Sequence, residues 1–125
     1  MKKVTPDELK KYHFFMDGTG WNTAPFEVFA KDFKRFVEQN LPDDARLLEF
    51  STNHYVLSGF IEKDYRFVYF STSDVRVWKD WYNAILVRTA KSDHDHTGGS
   101  NGYTSLENFG EKVKELLGIS NEEEP

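Results

Sequence analysis

From residue 26 onward, apolar side chains recur every three to four positions: Phe26, Phe29, Ala30, Phe33, Phe36 and Val37. That spacing lines one face of an α-helix. Asn22 or Thr23 can cap its start, Pro25 fits the first turn, and Leu41-Pro42-Asp43-Asp44 ends it. Glu27 with Lys31, and Lys34 with Glu38, stand one turn apart on the polar side. A shorter helix is predicted ahead of it. Thr5-Pro6-Asp7-Glu8 places an N-cap, a proline at the first helical position and a glutamate three residues after the cap. Leu9, Tyr12, His13 and Met16 then share a face, and Asp17-Gly18 stops the pattern. Phe14 and Phe15 break that face, so a strand over 12–16 is the rival reading.

After residue 44 the period shortens to two. Residues 45–52 are β-like but alternate poorly. Tyr55, Leu57, Gly59 and Ile61 then oppose Val56, Ser58 and Phe60. A turn is expected at Lys63-Asp64, after which Tyr65, Phe67 and Tyr69 oppose Arg66, Val68 and Phe70. Both faces of this hairpin are apolar, which places it centrally in a sheet, covered on both sides or covered on one and adhesive on the other. Val75 to Trp78 reads as a short strand and residues 84–90 as the last one. Residues 91–103 read as a loop. Thr104-Ser105-Leu106-Glu107 has the form of a second capping box, with Leu106, Phe109, Val113, Leu116 and Leu117 on one side of the helix behind it and Gly118 at its end. The expected architecture is α+β: an antiparallel meander of about four to five strands, two helices before it and one after it. One domain over residues 1–120 is expected, with 121–125 as an acidic tail.

Composition narrows the functional classes. The absence of cysteine excludes disulfides, thiolate zinc sites and cysteine nucleophiles. No apolar run follows Lys2 and Lys3, and none reaches the roughly 20 residues that cross a bilayer. A soluble, cytoplasmic protein without membrane partners is therefore expected. The formal net charge of −5 disfavours a general binder of nucleic-acid backbones. Aromatic residues form 16% of the chain, which fits a Phe-rich core, and any rings surplus to that core point to an interface.

Polar chemistry gathers in one stretch, Ile85 to Tyr103. Asp93, His94, Asp95 and His96 offer consecutive metal ligands, and Asp93-x-Asp95-x-Thr97-Gly98 has the first half of a calcium loop. The twelfth loop position is Thr104, where a bidentate glutamate is required, and zinc lacks a neighbouring third ligand. No metal or other cofactor is therefore assigned. Gly98, Gly99, Ser100, Asn101 and Gly102 can bring backbone N–H groups to an anion, with Arg88 and Lys91 before them and a helix start behind. The run is neither a Walker loop nor a dinucleotide fingerprint. Trp78, Trp81 and Tyr82, with Lys79 and Asp80, form an aromatic corner of the composition that binding hot spots favour. Residues 63–70 match the basic, aromatic and aliphatic positions of an RNA-recognition strand but carry Asp64 and Arg66 where small residues belong. No nucleophile elbow or other catalytic signature is present, so no catalytic residue is assigned and the reading leans away from an enzyme.

Asn83 to Ser92 (NAILVRTAKS), followed by Thr97 to Leu106 (TGGSNGYTSL), resembles a stretch in small uncharacterised proteins from mobile elements of Gram-positive bacteria. The resemblance covers about the last third of the chain. It implies the setting of a phage or plasmid accessory protein, whose partner is a host protein or a nucleoprotein complex. The expectation is a non-enzymatic binding module whose contact surface combines Trp78, Trp81 and Tyr82 with Arg88, Lys91, Gly98 to Gly102 and Tyr103. The alternative is a phosphate- or nucleotide-binding domain, with or without an activity of its own, built on Gly98–Gly102 at a helix start.

Overall fold

The structure, a computed structural model, describes residues 3–10, 23–53, 56–72, 75, 85–92 and 102–118. Helices α1 (Pro6–Lys10) and α2 (Thr23–Gln39) precede strands β1 (Arg46–Asn53), β2 (Val56–Lys63), β3 (Arg66–Thr72), β4 (Ile85–Ala90) and β5 (Gly102–Thr104), and α3 (Phe109–Leu116) follows. The five strands form one sheet in the order β1-β2-β3-β4-β5, each antiparallel to its neighbour. This is the expected α+β meander, with two helices before it and one after.

The predicted capping box starts α1: Glu8 N–H donates to Thr5 Oγ1 at 3.3 Å and Thr5 N–H donates back to Glu8 Oε1 at 3.1 Å. Val4 N–H donates to Gln39 Oε1 at 2.8 Å, which ties this start to the end of α2. The remainder of the first predicted helix, and the rival strand over 12–16, lie outside the described residues. On α2, Phe29, Phe33, Phe36 and Val37 are buried, as their spacing requires. The ion pair among its described residues is Arg35 with Asp32 at 3.2 Å, rather than the two pairs expected from charge spacing. Such exposed pairs are worth only a few tenths of a kcal/mol, too little to fix side-chain choice.

The poor alternation of β1 has a structural cause. Leu48 pairs with Phe60 but Ser51 pairs with Ser58, so β1 carries one extra residue. Glu49, with φ 52°, absorbs it as a β-bulge. The bulge resets the parity, and Leu47 and Phe50 both pack against the core.

The turn joining β2 to β3 is one residue later than expected. Lys63 pairs with Arg66, leaving Asp64 and Tyr65 as its two central residues, with φ 53° and 66°. Positive φ at both positions is the type I′ pattern, which matches the twist of the flanking strands and normally selects Asn-Gly or Asp-Gly. A side chain with a Cβ held there costs roughly 1–2 kcal/mol. The tip is held from below by Glu62, whose Oε2 accepts the Tyr65 N–H at 3.0 Å and whose Oε1 accepts Arg46 Nε–H at 2.7 Å.

Leu57, Ile61, Val68, Phe70, Ile85 and Val87 form the core face of the sheet, covered by α2 and α3. Phe33 meets Phe70 at 6.3 Å, Phe70 meets Phe109 edge-on at 5.7 Å, and Phe36 meets Phe109 at 6.1 Å. One aromatic cluster thus joins α2, β3 and α3. The C-terminus of α3 closes on Gly118 at φ 80°, where the N–H donates to Glu115 O at 3.1 Å. Arg66 Nη1 donates to Leu117 O at 2.8 Å, fastening this helix end to β3.

Candidate functional site

The site begins with the pleat of β4. Its sequence alternates Ile85 and Val87 toward the helices with Leu86, Arg88 and Ala90 toward the opposite face. Cross-strand pairing then decides their neighbours. Arg88 stands opposite Tyr69, Tyr69 opposite Phe60, and Phe60 opposite Leu48. A row of four side chains therefore crosses the sheet from β1 to β4. The rings of Phe60 and Tyr69 lie 5.1 Å apart, and Phe60 is only 7% exposed. A second row runs Ser51, Ser58, Ser71, Leu86 and Tyr103. Ser51 and Ser58 hydroxyls are 3.2 Å apart at its start, and Tyr103 is 59% exposed at its end.

Arg88 and Tyr103, two of the residues singled out by sequence, thus share the sheet face that carries none of the described helices. Arg88 is half-buried there, with Nε shut off from solvent. Lys91 is exposed just past the end of β4. Gly102 is not part of that surface. It stands opposite Val87 on the helix side, and a Cβ at this position would come within 3.0 Å of Lys112 Cε. Its glycine admits the Lys112 side chain of α3. Trp78, Trp81, Tyr82, Gly98, Gly99, Ser100 and Asn101 lie outside the described residues, as do Asp93, His94, Asp95 and His96. Among the described residues no group of three or more His, Asp or Glu is placed to hold a metal ion.

The helix start expected directly behind the glycine run is displaced. Gly102–Thr104 is strand β5, and α3 begins at Phe109. Ser105 Oγ accepts the Asn108 N–H at 3.2 Å in the turn ahead of the helix, and Asn108 itself is the N-cap residue, without a side-chain cap bond. Thr104 is buried in the edge strand, with its hydroxyl donating to Ser105 O at 3.3 Å. Phe109 and Val113 hold α3 on the core face, while Arg88 is on the other. The helix dipole and the Arg88 guanidinium therefore do not act on one spot.

Sequence reasoning missed Leu48, Phe60, Tyr69 and Leu86 as neighbours of Arg88. The signal was present in the two apolar faces of the β2–β3 hairpin, but only the register assigns each ring to a row. Glu62, at the edge of the same face opposite Phe67, has its carboxyl held below the ordinary carboxylate range, first by the Tyr65 N–H and then by Arg46. No described helix is long and apolar enough to cross a membrane.

Comparison with protein-family models, with curated proteins and with solved structures gives no match for this chain.

Proposed function

We propose that the chain is a non-enzymatic binding module that recognises a protein or a protein–nucleic acid complex. Its contact surface is the sheet face of Tyr69, Leu86, Arg88 and Tyr103, to which the sequence adds Lys91, Trp78, Trp81, Tyr82 and Gly98 to Asn101 as candidate contacts by residue type. The observation that carries this reading is the shared face of Arg88 and Tyr103, with Leu86 between them. Tyrosine and arginine are the side chains that interfaces concentrate, because each joins a large contact area to directional hydrogen bonding. The accessory proteins of mobile elements, which part of the chain resembles, supply the kind of partner.

A tagged chain and its Arg88→Ala/Tyr103→Ala variant, compared by quantitative pull-down, test the surface. Partners recovered by the original chain are expected to fall about tenfold or more with the variant, as for loss of a hot spot. Undiminished recovery of every partner would sink the proposal. Thermal shift with nucleotides and inorganic phosphate tests the alternative on Gly98–Gly102. A saturable rise in melting temperature, growing as ln(1 + [L]/Kd), would move the function to that loop.

A further inference from the structure

We infer that the Glu49 bulge guards the open edge of the sheet: it keeps β1 from pairing with β1 of a second copy of this chain. The inference stands apart from the face of Arg88 and Tyr103 and does not rest on it.

A sheet with its strands in sequence order has β1 and β5 at its two edges. An edge strand presents a row of backbone N–H and C=O groups that another strand can take up. The two edges offer different rows. β5 meets β4 over Gly102, Tyr103 and Thr104 alone, too short a stretch to hold a further strand. β1 runs over eight residues, Arg46–Asn53, and among the described residues it pairs only with β2. β1 is therefore the edge open to a second chain.

The bulge falls in the middle of that edge. Between the pairs Leu48–Phe60 and Ser51–Ser58, both Glu49 and Phe50 stand against Gly59. The extra residue serves neither the β2 side nor the core. Without it both flanking pairs stay as they are, Phe50 alone opposes Gly59, and Leu47 and Phe50 remain on the core face. Glu49 also takes φ 52°, a costly region for a residue with a Cβ, and its side chain is exposed, so burial offsets none of that cost. What the residue changes is the outer side. A bulge bends its strand and breaks the even spacing of the unpaired N–H and C=O groups, so a regular incoming strand no longer matches the edge.

The same geometry defines the assembly that is prevented. With β5 too short to pair, β1 meets β1 of the second copy. The same surface is then used on both sides, and the contact closes as a two-fold dimer rather than growing into a filament.

Deletion of Glu49 from the full chain removes the guard and leaves a regular ladder. Size exclusion with light scattering is expected to give the deletion variant about twice the mass of the unaltered chain at the same concentration. Amide hydrogen exchange over residues 46–53 should slow about tenfold or more in that variant as concentration rises, and stay independent of concentration in the unaltered chain. Glu49→Gly keeps the bulge while removing the carboxylate, and should keep the unaltered chain's mass. A doubled mass with Glu49→Gly would overturn the bulge as the guard in favour of the charge. The inference is also overturned by an unchanged mass on deletion, by growth into filaments, or by association without slowed exchange over 46–53. Concentration-dependent protection of 46–53 in the unaltered chain would overturn it too, because that edge would then be unguarded. A deletion variant that fails to fold would overturn it by assigning the bulge to the fold itself. None of these outcomes alters the pull-down with Arg88→Ala/Tyr103→Ala, so the functional proposal stands or falls separately.

Discussion

Glu62 concentrates several roles in one carboxylate. It accepts the Tyr65 N–H, pairs with Arg46 and so holds both the hairpin tip and the outer edge of the sheet. Its folded carboxyl binds a proton more weakly than the ordinary value of 4.5. Its contribution to stability is therefore complete above that value and lost as pH falls through the lower folded value. The melting temperature is expected to decline as pH falls below the ordinary value of 4.5, and Glu62→Gln should flatten part of that decline. An identical pH profile in both proteins, read by thermal melts, would remove this role. Individual residues were unevenly legible in the sequence. Thr5 with Glu8 was readable because the capping box is a local rule. Tyr65 at a turn centre was not, because its φ contradicts the residue's own preference.

Elements were legible where a period ran long enough. The α2 stripe spans several turns, and the β2–β3 alternation survives over the whole hairpin. β5 escaped because Gly102–Thr104 is too short to show a period and follows a glycine-rich run. The start of α3 was misplaced because Thr104-Ser105-Leu106-Glu107 has the local form of a capping box, whereas Thr104 is taken up in β5 and the helix starts behind Asn108, which makes no side-chain cap bond. The β1 bulge escaped because Glu49, not glycine, takes the left-handed position. Its function is testable. Deleting Glu49 leaves Leu47 and Phe50 two positions apart, so both stay on the core face, and it removes a side chain held at positive φ. Chemical denaturation is expected to change by less than about 1 kcal/mol. A loss of about 2–4 kcal/mol, the scale of removing a large core side chain, would mean that the bulge itself holds Phe50 in the core.

At the scale of the whole molecule, the α+β class followed from the order of helical and strand periods, and the meander followed from short links between β1, β2 and β3. The candidate surface was legible only in part. Arg88 and Tyr103 were identifiable as residue types, but their common face depends on pairings between distant segments. The core predicts cooperative behaviour, because Phe70 touches both Phe33 of α2 and Phe109 of α3. Phe70→Ala should cost about 3–5 kcal/mol while unfolding remains a single transition by calorimetry and by circular dichroism. Separate transitions for sheet and helices would refute one shared core.

The fastening of α3 also bears on how the chain folds during synthesis. Strands β1 to β4 pair with sequence neighbours and can zip together as they leave the ribosome. Phe109, Val113 and the Leu117 carbonyl that Arg66 grips arrive after every strand. Until then the nascent sheet presents Phe70 and Val87 without one of its two helical covers. The last helix is thus the step that commits the emerging chain, and the interval before it is when a chaperone or a misfolded neighbour competes for that face.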